Sequence, residues 1–201
     1  GLVCANRLKE LGLQPTVYDT GKRAVGGRAS SREFKVGDNV LKIDHSTQFF
    51  TATDPKFQSL VDTWKKEGAV KEWTGPVGTL CNGEFKPVGG EKRWIGNGGI
   101  GNLPKHLAKG LRVKGDTWVA RVERREEGQW RLYRDNGMRQ PLSAADNGQA
   151  DYDFIVISHN GKCAERLMRE AGVDTLHRLL KTKFACTPPP PGALFFGLFW
   201  G

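Results

Sequence analysis

Residues Val17 to Arg28, reading Val-Tyr-Asp-Thr-Gly-Lys-Arg-Ala-Val-Gly-Gly-Arg, constrain this chain more than any other stretch. A short apolar strand ends in an acid, and a glycine pair and an arginine follow within ten residues. A carboxylate at a strand end can accept from both hydroxyls of an adenosine ribose. Gly26 and Gly27 let the backbone approach a pyrophosphate, and the planar fork of Arg28 can face that anion. The residue types together point to a bound dinucleotide, and the arginine directly after the glycine pair points to FAD.

The residues before this run extend the pattern. Dinucleotide-binding folds open with a strand, then G-x-G-x-x-G, then a helix, with the ribose acid about 20 residues further on. Gly1 stands 18 residues before Asp19, in the place of the third glycine. The expectation is that the sequence starts inside this motif and that Gly1 heads a helix whose amide dipoles attract phosphate. Cys4, Leu8 and Leu11 recur at helical spacing, and Gly12 supplies a stop. Gln14 to Asp19 reads as the strand that delivers the acid.

Further along, Ala29 to Asn39 is polar, and Val40 to Phe50 mixes strand-like residues with His45 and Gln48. Asp54-Pro55 marks a helix start, Phe57, Leu60, Val61 and Trp64 follow at helical spacing, and Gly68 ends the helix. Between Ala69 and Trp94, β-prone pieces alternate with turn residues, and Asn82-Gly83 is a hairpin signal. A glycine-rich turn, Asn97 to Asn102, leads into a predicted helix over Leu103 to Leu111, with Pro104 in its first turn. Thr117 to Glu123 and Gln129 to Arg134 read as strands. Phe154 to Ser158 reads as a parallel strand buried on both faces, followed by a helix over Cys163 to Ala171. Pro188 to Pro191 reads as a stiff spacer and Leu194 to Trp200 as a short apolar tail.

These segments predict an α/β fold: an FAD/NAD(P)-binding Rossmann-like parallel sheet with an inserted, mainly antiparallel β substrate subdomain, incomplete in this chain. The expected division is 1–68 for the FAD-binding segment, 69–98 for part of the substrate subdomain, 99–183 for the return to the first domain, and 184–201 for an irregular tail. The net charge of +9 is spread along the chain, without the aromatic platform or basic stripe that nucleic-acid binding needs. No apolar stretch is long enough to cross a bilayer. Cys4, Cys81, Cys163 and Cys186 lie far apart, without C-x-x-C or histidine at metal-ligand spacing, so no metal site is expected. The composition suits a soluble protein of the cytoplasm or of an organelle such as the chloroplast and does not choose between them.

Three stretches carry a family resemblance. Val17 to Arg28, Ile43-Asp44-His45-Ser46-Thr47-Gln48-Phe49-Phe50-Thr51 and Gly99-Ile100-Gly101-Asn102-Leu103-Pro104-Lys105-His106-Leu107 resemble segments of the renalase-like flavoproteins, in the amine-oxidase group of FAD-dependent oxidoreductases. Ser46 and Thr47 depart from that group's Gly-Ala, Ile100 from its Met, and Ser158-His159-Asn160 from its Ala-Thr-Pro. The resemblance implies FAD as cofactor and either reduced nicotinamide dinucleotides or amines as substrates. It places Gln48 and Phe49 beside the flavin, and Val119 in a strand whose backbone pairs with the adenine edge. The expected cofactor-binding set is therefore Gly1, Asp19, Gly26, Gly27, Arg28, Gln48, Phe49 and Val119, with no catalytic residue assigned. His45 is an acid or base candidate of lower rank, because hydride transfer needs orientation more than a protein base. His106 and His159 read as structural, and Trp94 as buried. A nicotinamide-only dehydrogenase and a non-catalytic binding module are the rival readings.

Overall fold

The computed structural model describes residues 1–134, 142 and 151–184. It divides into two compact units: Leu2–Trp118, and Val119 onward together with Gly1. Pro188 to Pro191, Leu194 to Trp200 and Cys186 lie outside the described residues.

In the first unit, α1 (Leu2–Glu10) is followed by Gly12 at φ +82°, the left-handed stop that glycine takes without a Cβ penalty. Only Ala5 of this helix is fully buried, so its apolar stripe makes a shallow contact. Asn6 Nδ2 donates to the carbonyl of Leu107 at 2.7 Å, and Lys9 Nζ donates to that of Gly110 at 2.7 Å. β1 (Thr16–Tyr18) pairs in parallel with β8 (Arg112–Lys114), Val17 opposite Val113. β8 leaves no strand signal in the sequence, because Arg-Val-Lys carries one apolar residue and is a strand only by virtue of its partner. The strand that delivers Asp19 is correspondingly shorter than Gln14 to Asp19.

The polar stretch after Arg28 is not irregular. It forms β2 (Ser31–Val36), which pairs antiparallel with β3 (Asn39–Asp44) across Gly37-Asp38. Gly37 sits at φ +60°, as a two-residue primed turn requires at its first central position. Register places Phe34 opposite Leu41 and Arg32 opposite Ile43 on one side, and Glu33 opposite Lys42 on the other. The apolar side is open to solvent: Phe34, Val36, Leu41 and Ile43 are each about half exposed.

The core of this unit gathers Phe50, Val61, Trp64, Ala69, Val70, Trp94, Ile100 and Leu103. Helix α2 (Pro55–Lys66) feeds it with Val61 and Trp64. Asp54 caps that helix, its Oδ1 accepting from the Phe57 N–H at 2.9 Å, and Pro55 occupies the first turn, where no N–H is needed. Gly68 follows at φ +74°. Phe57 bridges Phe50 and Trp64, with ring centroids 5.9 Å from each. β4 (Val70–Glu72) pairs with β7 (Trp94–Gly96), and Phe50 exchanges backbone bonds of 2.8 and 2.9 Å with Trp94. β5 (Gly78–Cys81) and β6 (Glu84–Pro87) form the expected hairpin, with Asn82 and Gly83 at φ +51° and +83°. Helix α3 (Asn102–Leu107) is shorter than its sequence signal and carries Pro104 in its first turn.

In the second unit, β9 (Arg121–Arg124), β10 (Trp130–Tyr133) and β11 (Asp151–Tyr152) form an antiparallel sheet in the order β11-β10-β9. Helix α4 (Gly161–Met168) is capped by Asn160, whose Oδ1 accepts from the Cys163 N–H at 3.0 Å. Val122, Leu132, Ala164, Leu167, Met168 and Ala171 are buried. A further helix, α5 (Asp174–Phe184), was not anticipated; it has no fully buried residue and meets α4 through a 2.8 Å bond between His177 Nε2 and Glu165. That contact holds the Glu165 carboxyl below its ordinary range.

One expectation is overturned. Phe154 to Ser158 is not a buried parallel strand: the segment joins no sheet among the described residues, and Phe154 and Val156 are 85% and 61% exposed. An apolar run becomes a strand only where a neighbour completes its backbone hydrogen bonds, and no described residue does so. Likewise Thr117 to Ala120 precede β9 rather than extending it.

Arg131 and Asp151 face each other in the ladder and form a bidentate pair, both bonds 2.6 Å. The Arg131 hydrogen bonds hold the Asp151 carboxyl below its usual range. A carboxyl depressed in the folded state contributes stability above its unfolded value, and that contribution fades as pH falls through the lowered folded one. Two outcomes are expected. Asp54→Ala should lower stability by about 1 kcal/mol in urea unfolding. Asp151→Asn should flatten the loss of stability below about pH 4, seen by repeating the urea titration at each pH.

Candidate functional site

Asp19 follows β1 directly, and Gly115-Asp116-Thr117 follows β8, so both segments lie at the carboxyl ends of the parallel pair. Open α/β sheets place ligands at such ends. Backbone bonds knit the two together: the Asp19 N–H donates to Lys114 O at 3.0 Å, the Thr117 N–H to Asp19 O at 3.0 Å, and the Asp116 N–H to Gly21 O at 3.1 Å. Thr117 is buried, with its hydroxyl donating to Gly115 O at 2.9 Å. Asp116 holds φ +47°, an uncommon conformation for a residue other than glycine.

The Asp19 carboxylate turns into its own loop. Oδ1 accepts from the Gly21 N–H at 2.7 Å, and Oδ2 accepts from the Gly26 N–H at a longer 3.4 Å. Asp19 thus organises the loop 19–28, and each oxygen retains acceptor capacity for another donor. Gly26 has φ +112°, and a Cβ there would lie 2.4 Å from Pro104 Cγ. Its glycine is therefore required by backbone conformation and by packing on α3, not only by the approach of an anion. Gly27 differs: at φ +55°, a Cβ on it would meet no atom within 4 Å. Arg28 is exposed, and among the described residues its guanidinium has no partner.

The carbonyl of Arg28 accepts from the Thr47 N–H at 3.2 Å, which draws the segment of Gln48 and Phe49 alongside the loop. Gln48 is exposed, and Phe49 is half-buried beneath the Arg93 guanidinium, 5.4 Å from its ring centroid. Asp19, Gly26, Gly27, Arg28, Gln48 and Phe49 all belong to the first unit. Gly1 and Val119 belong to the second. Gly1 is exposed and precedes α1, and a Cβ on it would lie 2.6 Å from Ser158 Oγ. Val119 is half-buried but lies two residues before β9, outside any strand, which corrects the strand placement assigned to it.

Sequence reasoning missed two polar nodes. Ser31 Oγ donates to Asp44 Oδ1 at 2.6 Å and accepts from the Gly101 N–H at 2.9 Å, while the Ile100 N–H donates to both Asp44 oxygens at 3.0 and 3.1 Å. Gly99, at φ +104°, has no room for a Cβ, which would sit 2.6 Å from Ser31 Oγ. The glycine-rich turn is thus shaped by the Ser31–Asp44 pair. The second node joins Ser30 Oγ to His45 Nε2 at 2.8 Å. The sequence signal for both was the antiparallel register of 31–36 against 39–44, hidden under a polar composition. His106 bonds Glu67 at 2.8 Å, and Trp94 is almost wholly buried, in keeping with structural roles.

A separate groove of about 560 Å³ in the second unit is lined by Glu123, Arg124, Arg125, Glu126, Glu127, Arg131 and Asp151. Four of its ions pair within it: Arg125 with Glu123 at 3.0 Å, and Arg131 with Asp151 at 2.6 Å. The Tyr133 hydroxyl donates to Glu123 at 2.6 Å and holds that carboxyl low, while burial, then Glu123, pushes the phenol up. This is a solvated ion-pair surface, without the apolar lining typical of small-molecule sites.

Compared with known proteins, residues 1–64 match an NAD(P)-binding Rossmann-like domain. The match spans α1, β1, the loop 19–28, the β2–β3 hairpin and most of α2. Such domains are typical of FAD-dependent oxidoreductases, so the coarse biochemical class is that of a dinucleotide-binding domain associated with redox enzymes. Among the described residues no helix is long and apolar enough to cross a membrane.

The two loop glycines should differ in their tolerance of a side chain. Gly26→Ala combines a forbidden backbone angle with a clash against Pro104 and should cost about 2 kcal/mol or more, whereas Gly27→Ala should cost about 1 kcal/mol. Thermal unfolding of the two variants side by side measures the difference.

Proposed function

We propose that this chain is part of an FAD-dependent oxidoreductase of the renalase and amine-oxidase type, with a reduced nicotinamide dinucleotide or an amine as substrate. The observation that carries the reading is the loop 19–28 at the carboxyl ends of β1 and β8. There an acid with spare acceptor capacity, an open glycine and an arginine without a side-chain partner among the described residues lie within ten residues. That donor and acceptor set fits an adenosine diphosphate moiety: Asp19 toward ribose hydroxyls, the Gly27 backbone and Arg28 toward pyrophosphate. Gln48 and Phe49, drawn beside the loop by the Thr47–Arg28 bond, are assigned to the flavin end. Residues 69–98 supply the substrate side.

The chemistry such a cofactor supplies is acceptance of hydride from a C–H next to nitrogen, followed by reoxidation with molecular oxygen. The chain's own contribution is positional. Asp19 fixes the loop so that Arg28 is presented to the anion without reorganisation, and the aromatic cluster behind Phe50 gives the Phe49 segment a rigid backing.

A second reading, a non-catalytic binding module, draws on the same carboxylate, since Asp19 is already engaged by two N–H groups of its own loop. Full-length protein decides between them. The expected result is a visible flavin spectrum in the purified protein and loss of that cofactor in Asp19→Ala, with a larger loss, of about tenfold in affinity, in Arg28→Ala. A colourless protein that added FAD does not convert, or unchanged flavin content in both variants, would refute the assignment. Bound flavin without substrate-dependent bleaching by reduced nicotinamides or amines would favour the module.

A further inference from the structure

Thr117 and Trp118 are neighbours with opposite environments. Thr117 is buried, its N–H donating to Asp19 O at 3.0 Å and its hydroxyl to Gly115 O at 2.9 Å. Trp118 is 53% exposed, the most exposed tryptophan among the described residues, whereas Trp64 and Trp94 lie in the core. Among the described residues none stacks on the Trp118 ring or accepts from its indole N–H. An indole is one of the largest apolar surfaces a side chain can offer, and leaving it in water forgoes the gain from burying it.

The site fixes where this ring is anchored. The Asp116 N–H donates to Gly21 O at 3.1 Å and the Thr117 N–H to Asp19 O, so the chain leaving β8 is tied to both sides of the turn that begins at Asp19. Trp118 comes next, its Cα about 3.8 Å from that of Thr117. Asp19 and Trp118 belong to the same unit. In a nucleotide the base is bonded to the ribose carbon beside the one that bears the 2′-hydroxyl. A carboxylate that takes the ribose hydroxyls therefore has the base close by.

Resting on the dinucleotide reading above, we propose that Trp118 is the platform for the adenine ring, its indole face stacked on the base of the ribose that Asp19 holds. The two residues divide the nucleoside between them: Asp19 accepts from the sugar, and Trp118 covers the flat, weakly polar base. Stacking of this kind supplies affinity through the π-face and leaves the hydrogen-bonding edge of the base to other groups. It also gives the exposed indole the burial that the protein itself withholds.

The test uses ADP, which carries base, ribose and phosphates without a flavin, titrated into flavin-free full-length protein and followed by calorimetry and tryptophan fluorescence. ADP should quench part of the wild-type emission. Trp118→Phe should lose that quenching yet bind within about threefold of wild type, because a phenyl ring still stacks. Trp118→Leu, apolar but without a ring, should bind about tenfold more weakly. Wild-type affinity in Trp118→Leu, or equal losses in Trp118→Phe and Trp118→Leu, overturns the stack while leaving ADP binding and its dependence on Asp19 intact. Absence of ADP binding to the wild type removes the dinucleotide reading and this inference with it.

Discussion

The parallel pairing of β1 with β8 is the constraint on which the first unit's site depends. Three residues on each side set the direction in which both chains emerge, and the bonds from Asp19 to Lys114 and from Thr117 to Asp19 continue that ladder past the strands. Without this register, the Asp19 carboxylate would not face the N–H groups of Gly21 and Gly26. The loop 19–28 would then have no fixed shape. The acid long associated with ligand reading therefore has a prior task, which is to hold its own loop. The same side chain shapes the cradle and keeps acceptor capacity for whatever enters it.

The glycines show how one residue type serves different ends within a short stretch. Gly26 is excluded from bearing a side chain by Pro104 and by its backbone angle, and Gly99 by Ser31 and its own angle. Only Gly27 faces open space among these three. A glycine-rich motif read from sequence suggests that every member approaches a ligand. The structure divides the work: two glycines let protein segments touch, and one leaves room for something else.

Legibility in the sequence followed the range of the interactions. Signals confined to one segment were readable: Asp54-Pro55 before α2, Asn82-Gly83 between β5 and β6, and Gly12 and Gly68 as stops. Each works through a backbone angle or a cap that needs no distant partner. Elements whose identity rests on a neighbour were misread. β8 has one apolar residue and exists through β1. β2 hides behind alternating charges, and Phe154 to Ser158 looks like a strand yet joins no sheet among the described residues. Helix α5 is the exception, because Leu176, Leu179, Leu180 and Phe184 do recur at helical spacing although none of them is fully buried. At the site, Asp19, Gly27 and Arg28 were visible as a motif, whereas Ser31, Asp44 and the Ser30–His45 pair became visible only once the hairpin register was known.

The β2–β3 hairpin has a consequence for how the protein behaves in solution. Phe34, Val36, Leu41 and Ile43 keep hydrocarbon wet on one side of a two-stranded ribbon, while the aromatic cluster around Trp64 and Trp94 is dry. Salts and osmolytes that raise the free energy of hydrated hydrocarbon act on this ribbon, as on other exposed apolar side chains, more than on the cluster, which has little water left to lose. Sulfate and warming therefore favour any arrangement that covers these four side chains, and leave the dry cluster little changed.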